Sequence, residues 1–163
     1  MMRCRKSFLI ILLMGLPTLF SLQCSKRIRS KDNQLPVKEV ISSVDAPDAI
    51  GPYSQAIKVG DMLFCSGQIA INPATGELVT DNIETETRQV LQNLKAVLNE
   101  AGMDFDDVVR ATIFMSDINN YTKINEVYAE YFMDKPPARA AVQVVALPKL
   151  VNVEISCIAV KSE

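Results

Sequence analysis

Apolar and polar residues alternate over two neighbouring stretches in the first half of the chain. Residues 55–59 and 62–71 have this strand pattern, and Gly60-Asp61 between them is a typical tight turn. A second turn over residues 72–76 ends at Gly76, where we expect a positive φ. The pattern therefore predicts a β-hairpin at the start of the folded part.

Two later segments carry apolar residues at helical spacing. The first helix is predicted to begin at a cap formed by Asn82 or Thr85 and to end at Ala101, before Gly102. Its polar face is predicted to comprise Glu86, Arg88, Lys95 and Glu100, opposite a stripe of Val90, Leu94, Val97, Leu98 and Ala101. The second helix is predicted over residues 117–132, with an apolar stripe of Tyr121, Ile124, Val127, Tyr128 and Tyr131.

Three more β-rich runs, residues 108–115, 140–146 and 151–160, complete the order β-β-α-β-α-β-β. This order predicts an α+β fold in which both helices cover one face of a mixed sheet.

On the uncovered face, polar and apolar side chains are expected to mix. Glu154 and Ser156 alternate in step with Ile158 and Val160, and we expect Phe64 to share its face with Ser66 and Gln68. Because an exposed apolar sheet surface promotes association, the pattern predicts an oligomer whose interface includes this face.

Composition narrows the chemistry. The 163 residues suffice for one domain with a good core, and the absence of His removes imidazole as a base or metal ligand. From Val44 onward, nine Lys and Arg stand against seventeen Asp and Glu, a net charge of -8. An acidic surface repels phosphate backbones, so nucleic-acid binding is a minor hypothesis. We expect neither a metal nor a cofactor.

The first 24 residues have the pattern of a signal peptide. A basic start precedes an uncharged apolar run over residues 8–20, which is shorter than the ~20 residues of a membrane-spanning helix. Cys24 stands where a bacterial lipoprotein signal has its lipidated cysteine, although Gln23 departs from that pattern. Residues 25–41 are predicted to be a flexible tether, and residues 42–161 the folded domain.

We therefore expect a cell-envelope protein, lipid-anchored through Cys24 in the periplasm or at the surface. An uncleaved anchor and a cytoplasmic form are the alternatives, because basic residues also follow the apolar run and blur its orientation. Cys65 and Cys157 lie in separate apolar strands, where two buried free thiols are the default. In an oxidising compartment they could pair if their Cα atoms lay within ~7 Å.

Two charged residues interrupt apolar runs near the end of the chain: Arg139 within residues 136–145 and Glu154 within residues 150–156. Ionised groups in such surroundings are usually paired or used on a ligand, so both are candidates for chemistry. The alternative is a half-buried strand with a solvated face. We expect the two side chains to meet across a hairpin over residues 140–160.

Eight short motifs in order resemble the reactive intermediate deaminase (RidA, or YjgF/YER057c/UK114) family, and the resemblance covers about residues 42–161. The motifs are Gly51-Pro52-Tyr53-Ser54-Gln55-Ala56, Ser66-Gly67-Gln68-Ile69, Asn72-Pro73-Ala74-Thr75-Gly76-Glu77, Gln92-Asn93-Leu94, Asp107-Val108-Val109-Arg110-Ala111-Thr112, Pro137-Ala138-Arg139-Ala140-Ala141, Ala146-Leu147-Pro148-Lys149 and Val153-Glu154-Ile155. The resemblance implies a chorismate-mutase-like (YjgF-like) fold and a homotrimer with active sites between subunits.

The resemblance also implies hydrolysis of 2-imino acids, such as 2-iminobutanoate and 2-iminopropanoate, to 2-keto acids and ammonia. In that reaction Arg139 would hold the substrate carboxylate through a bidentate fork, and Glu154 would position the attacking water and take its proton.

Four further positions match the family's substrate pocket. Tyr53 and Asn125 would orient the substrate, while Ser66 and Gly67 form a strand segment that approaches it closely. Ala141 departs from the pattern of many bacterial members, which have a cysteine there, so no thiol can contribute.

Two other functions stay open. One is a non-catalytic module that binds small carboxylates, and the other is the RNA-directed role claimed for some relatives, which the acidic domain disfavours.

Overall fold

The computed structural model describes residues 37–161, which form one six-stranded mixed sheet with two helices. The strands are β1 (Lys38–Ile41), β2 (Ala56–Val59), β3 (Met62–Gln68), β4 (Val108–Met115), β5 (Ala138–Gln143) and β6 (Val153–Val160). The helices are α1 (Ile83–Glu100) and α2 (Tyr121–Ala129), and short 3-10 helices lie at Phe105–Asp107, Ile118–Asn120 and Pro148–Leu150. The predicted α+β class and mixed sheet are confirmed.

The strand order in the sheet is β1-β2-β3-β6-β4-β5, with β4 and β5 parallel and the other pairs antiparallel. The parallel pair arises because α2 carries the chain from β4 back to the same end of the sheet. In this order the last strand along the chain, β6, lies between β3 and β4 and is not a neighbour of β5.

The tether predicted over residues 25–41 is wrong in its last four residues, Lys38–Ile41, which form β1. Val40 pairs with Ile57 and Ile41 with Ala56, so two apolar residues gain partners on β2 that a local pattern does not reveal. The predicted signal over residues 1–24, with Cys24, lies outside the described residues. Within residues 37–161, neither helix has the length and apolar character needed to cross a bilayer.

Asn82 caps α1, since its side chain accepts a hydrogen bond of 2.8 Å from the backbone N–H of Thr85. The predicted apolar stripe of α1 is buried, and together with Ile124 and Val127 of α2 it packs on one face of the sheet. Both helices thus cover the same face, as predicted. Gly102, with φ +72°, ends the first helix in the left-handed region.

Glu86 corrects the predicted polar face of α1. Its side chain is fully buried and its carboxylate accepts hydrogen bonds from the backbone N–H groups of Asn152 (2.6 Å) and Val153 (3.2 Å). The side-chain amide of Asn152 donates a third, of 2.9 Å. Glu86 therefore fixes the entry to β6, two residues before the predicted catalytic glutamate.

A bulge in β3 corrects the predicted position of Gln68. The register against β6 pairs Cys65 with Cys157 but Gln68 with Ile155, so β3 contains one extra residue between these pairs. The extra residue reverses the alternation, and Gln68 lies buried on the helix-covered face instead of beside Phe64. Ser66 and Gly67 occupy the irregular segment.

Cys65 and Cys157 are both buried and free, and lie directly opposite each other on β3 and β6. A hydrogen bond with the Cys65 thiol, reinforced by burial, raises the pKa of Cys157. The default prediction of two buried thiols is confirmed.

Candidate active site

Four of the predicted site residues line a single cleft of about 370 Å³. Glu154 comes from β6, Ser66 and Gly67 from the bulge of β3, and Tyr53 from the loop before β2. Three residues that the sequence did not indicate complete the lining: Ile50, Ile69 and Pro148. The cleft is thus mainly apolar, with one carboxylate in its wall.

Glu154 lies directly over Gly67. A Cβ atom added at Gly67 would fall 2.7 Å from Cδ and 2.9 Å from Cγ of Glu154, closer than real contacts allow. The missing side chain at Gly67 is therefore the space that the carboxylate of Glu154 occupies. Gly67 lies within the bulge, where the pairing register of β3 with β6 shifts.

Burial raises the pKa of Glu154 above its usual value of 4.5. The side chain is half-buried, and among residues 37–161 no Lys or Arg forms an ion pair with it. Desolvation without a compensating cation favours the protonated form. A carboxylate in this state is a stronger base than an exposed glutamate, which suits it to accept a proton.

Ser66 fixes the wall of the cleft through its own hydrogen bonds. Its hydroxyl donates to the carbonyl of Ser54 at 2.7 Å, and its N–H donates to the carbonyl of Gln55 at 2.9 Å. Tyr53 precedes Ser54 in the chain, and its phenol oxygen accepts a hydrogen bond of 3.2 Å from the N–H of Ile50. The loop that carries Tyr53 and Ile50 is thereby tied to the bulge.

Asn93, in the Gln92-Asn93-Leu94 motif, supports the part of the cleft wall that contains Ile69. Its buried side-chain amide donates to the carbonyls of Ile69 (3.0 Å) and Ile71 (2.9 Å). These bonds satisfy the backbone where β3 ends and hold Ile69 against the cleft.

Arg139 and Asn125 lie in a second cleft, of about 420 Å³, between α2 and β5. The guanidinium carbon of Arg139 lies 4.7 Å from the ring centroid of Tyr128, and its Nη2 donates to the phenol oxygen of Tyr121 at 3.4 Å. A hydrogen bond with Asn125 lowers the pKa of Tyr121, and the positive charge of Arg139 lowers it further. Tyr121 thus connects the two predicted residues.

Tyr121, Asn125 and Tyr128 share one face of α2, because their spacing of four and three residues is the helical repeat. The sequence placed both tyrosines in the apolar stripe of the helix and did not predict their contact with Arg139. The helical periodicity could have shown that the two tyrosines share a face of α2. It could not have shown that β5, which pairs with β4, brings Arg139 against that face.

The prediction that Arg139 and Glu154 meet across a hairpin is wrong within one chain. Their strands are not neighbours, since β4 lies between β5 and β6. Arg139 pairs with Ala111 of the helix-covered face, whereas Glu154 pairs with Phe114 and faces the uncovered side. The six predicted residues therefore form two half-sites on opposite faces of the sheet.

The described residues offer no evident metal centre. Within residues 37–161, no three acidic or Cys side chains come together in a way that would hold an ion. The chemistry available to the two clefts is that of a carboxylate, a guanidinium, phenols and water.

Comparison with known proteins gives a consistent result over residues 43–161, which match the profile of the family described as Endoribonuclease L-PSP. A RutC family protein of Pyrococcus horikoshii is 54% identical over 77% of this chain and 99% of its own length. The human 2-iminobutanoate/2-iminopropanoate deaminase is 45% identical over 77% of this chain and 91% of its own length. The crystal structure of E. coli TdcF with bound serine, 42% identical, superposes with a TM-score of 0.73 over 76% of this chain and 99% of that one.

Proposed function

Since the chain belongs to the Endoribonuclease L-PSP (RidA/YjgF) family and has its chorismate-mutase-like fold, we propose that it hydrolyses 2-imino acids to 2-keto acids and ammonia. The substrates proposed are 2-iminobutanoate and 2-iminopropanoate, after which the human and bovine relatives are named. The observation that carries the proposal is the half-buried carboxylate of Glu154, held over Gly67 in an apolar cleft with its pKa raised.

The proposed reaction needs a base and a carboxylate anchor. Glu154 accepts a proton from a water molecule as that water attacks the electrophilic carbon of the C=N bond. Glu154 passes that proton to the imine nitrogen, which gives a carbinolamine. Glu154 then takes the proton of the carbinolamine hydroxyl as the carbonyl of the keto acid forms and passes it to the nitrogen, which leaves as ammonia. Arg139 holds the substrate carboxylate through two parallel N–H donors, which fixes the reacting carbon relative to Glu154.

The remaining predicted residues have positioning roles in this proposal. The Tyr53 ring and the Ser66–Gly67 backbone shape the cleft around the reacting atoms. Asn125 acts on the carboxylate side, through its contact with Tyr121. The apolar walls reduce the water content of the cleft, which strengthens the charge interactions inside it.

We propose further that the active site forms between copies of the chain, as in a homotrimer. Two observations support this. Arg139 and Glu154 lie on opposite faces of the sheet, so one chain cannot use both on one small substrate. The uncovered face also presents a largely apolar row that runs across all six strands: Val40, Ile57, Phe64, Ile158, Arg110 and Ala138. Such a face is stabilised by burial against another copy.

The proposed activity is tested by ammonia release from 2-iminobutanoate generated by a threonine dehydratase. We expect wild-type protein to accelerate release, Arg139→Ala to lower kcat/KM about 100-fold or more, and Glu154→Gln to lower kcat by a similar factor. Lys95→Ala and Glu100→Gln, which alter exposed charges away from both clefts, are the matched controls and should leave the rate unchanged. Full activity in Arg139→Ala would refute the proposal.

A second candidate is a non-catalytic module that binds small carboxylates. The serine bound to E. coli TdcF favours it, because serine carries a carboxylate and undergoes no imine hydrolysis. Binding of 2-oxobutanoate by calorimetry, without any acceleration of ammonia release and without an effect of Glu154→Gln, would select this function over the first.

The RNA-directed activity suggested by the family's description is a weaker candidate for this chain. The net charge of -8 from Val44 onward opposes binding of a phosphate backbone. Incubation of labelled single-stranded RNA with the protein at low salt, where electrostatic binding is strongest, should leave the RNA uncleaved and unbound.

We propose a cell-envelope location, with a lipid anchor at Cys24. The proposal rests on the basic and apolar segments that precede this cysteine. Fractionation of the native protein, with its mature N-terminus determined by mass spectrometry, tests it. Incorporation of labelled lipid that persists in Cys24→Ala would contradict lipidation at this residue.

A further inference from the structure

The ring of Tyr128 supports the guanidinium of Arg139. The guanidinium carbon lies 4.7 Å from the centroid of Tyr128 and 6.0 Å from that of Tyr121, so the closer contact is with the buried ring. A guanidinium over an aromatic face is attracted by the negative potential of the π-system. Arg139 is itself exposed, and the ring restricts a side chain that would otherwise sample many rotamers.

In the part of the chain that the structure describes, the hydroxyl of Tyr128 is buried without a hydrogen-bond partner. The residue is only 5% exposed, and within residues 37–161 its oxygen finds no hydrogen-bond partner. Burial raises the pKa of Tyr128 to about 12, so the phenol is neutral and supplies no charge to pair with Arg139. An unpaired buried hydroxyl is unfavourable, so what Tyr128 offers to Arg139 is its ring.

The ring is held rigidly from behind. Tyr128 stacks on Phe132 with centroids 4.3 Å apart, and Phe132 meets Phe105 edge-on at 4.8 Å. Tyr131 packs against the same Phe105 at 5.3 Å, but the rings that the guanidinium of Arg139 lies over are those of Tyr121 and Tyr128. The aromatic cluster thus presents one fixed face to the guanidinium.

We propose that Tyr128 is a positioning residue, which sets the plane of the Arg139 guanidinium through its ring while the Tyr121 phenol fixes the direction of Nη2. The inference rests on the proposed function in one respect only, that Arg139 binds the substrate carboxylate. A guanidinium held in the bound orientation loses less freedom on binding, so Tyr128 acts on substrate affinity rather than on bond breaking.

The test compares Tyr128→Phe, which keeps the ring, with Tyr128→Leu, which removes it, and uses Tyr131→Leu as the matched control. We expect Tyr128→Phe to retain KM within about twofold and to unfold at a higher temperature. We expect Tyr128→Leu to raise KM about five- to tenfold with little change in kcat, whereas Tyr131→Leu leaves KM unchanged.

A spectroscopic measurement makes the test independent of activity. The side-chain protons of Arg139, assigned by their disappearance in Arg139→Lys, should show an upfield ring-current shift in wild type and Tyr128→Phe and lose it in Tyr128→Leu. An unshifted Arg139 resonance in wild type, or a Tyr131→Leu variant as impaired in KM as Tyr128→Leu, would overturn the proposal. If wild type releases no ammonia yet keeps the ring-current shift, the proposed function fails while the positioning by Tyr128 stands.

Discussion

Arg139 and Glu154 project from opposite faces of one sheet, on strands β5 and β6 that β4 separates. No rotation of either side chain brings the two groups together, because the sheet itself stands between them. A site that uses both therefore takes the cation from one copy and the carboxylate from another.

Mixing two inactive variants should restore activity. Arg139→Ala and Glu154→Gln each lack one half-site, but an assembly of both variants contains interfaces with an intact Arg139 opposite an intact Glu154. In a closed ring of three that contains both variants, one of the three sites is complete, so assemblies purified through both tags should recover about one third of the wild-type rate. Co-expression with two different tags, purification through both and the ammonia assay measure the recovery. No recovery in verified mixed assemblies would contradict a shared site.

Substitution of Gly67 by Ala should abolish activity without unfolding the protein. The new Cβ would fall 2.7 Å from Cδ of Glu154, and the flexible glutamate yields more easily than the backbone. We expect kcat to fall by about two orders of magnitude and the melting temperature to change by only a few degrees. The double variant Gly67→Ala/Glu154→Gln should be no slower than Glu154→Gln alone, since both changes remove the same group. Additive losses would indicate that Gly67 acts independently of Glu154.

The pH profile should show an acidic limb that belongs to Glu154. Burial raises the pKa of this carboxyl above its usual 4.5, and the base is the ionised form. The rate constant kcat should therefore rise with pH through the raised pKa and be lost below it. Glu154→Gln should lose that limb, while Glu100→Gln keeps it. A limb that persists in Glu154→Gln would assign the titration to another group.

Glu154 should also oppose folding at neutral pH. Its pKa is higher in the folded than in the unfolded chain, so ionisation favours the unfolded state once the pH exceeds the folded pKa. Glu154→Gln should raise the melting temperature by a few degrees at pH 7, and the gain should vanish below the ordinary glutamate pKa of 4.5. Melting curves at both pH values, at equal protein concentration, provide the check. A constant gain across this range would point to packing rather than ionisation.

Loss of Glu86 should destabilise the fold strongly. Its carboxylate accepts three hydrogen bonds at the entry to β6, and Glu86→Ala would leave the N–H of Val153 buried without that partner. We expect a loss of about 2–4 kcal/mol in the free energy of unfolding by urea. Glu84→Ala, which removes an exposed ion pair with Lys123, is the control and should cost less than about 1 kcal/mol. Equal losses in the two variants would show that burial of Glu86 has no special consequence.

Local patterns predicted much of this fold. The strand predicted over residues 108–115 has those bounds, and Asn82 and Gly102 mark the ends of α1 as capping chemistry requires. The apolar stripe of α1 packs in the core, as do Ile124, Val127 and Tyr128 of α2, whereas Tyr121 of the predicted α2 stripe is exposed. These features depend on neighbours within a few residues, which the sequence displays directly.

The errors share one physical origin, which is pairing between distant parts of the chain. Glu86 has an ordinary helix-surface position until Asn152 supplies its partners. The position of Gln68 depends on one extra residue in β3 relative to β6. The predicted hairpin of Arg139 and Glu154 failed because β4 pairs with both β5 and β6. The family resemblance predicted six of the residues that line the two clefts, but not that the clefts lie on opposite faces.

The division of the chemistry between two faces also separates folding from reactivity. A single chain can complete its core, bury Glu86 and form the bulge of β3 while each half-site lacks its counterpart. On the proposed shared site, a newly made copy is folded but cannot turn over substrate until it meets another copy. Assembly would then be the final step of its maturation.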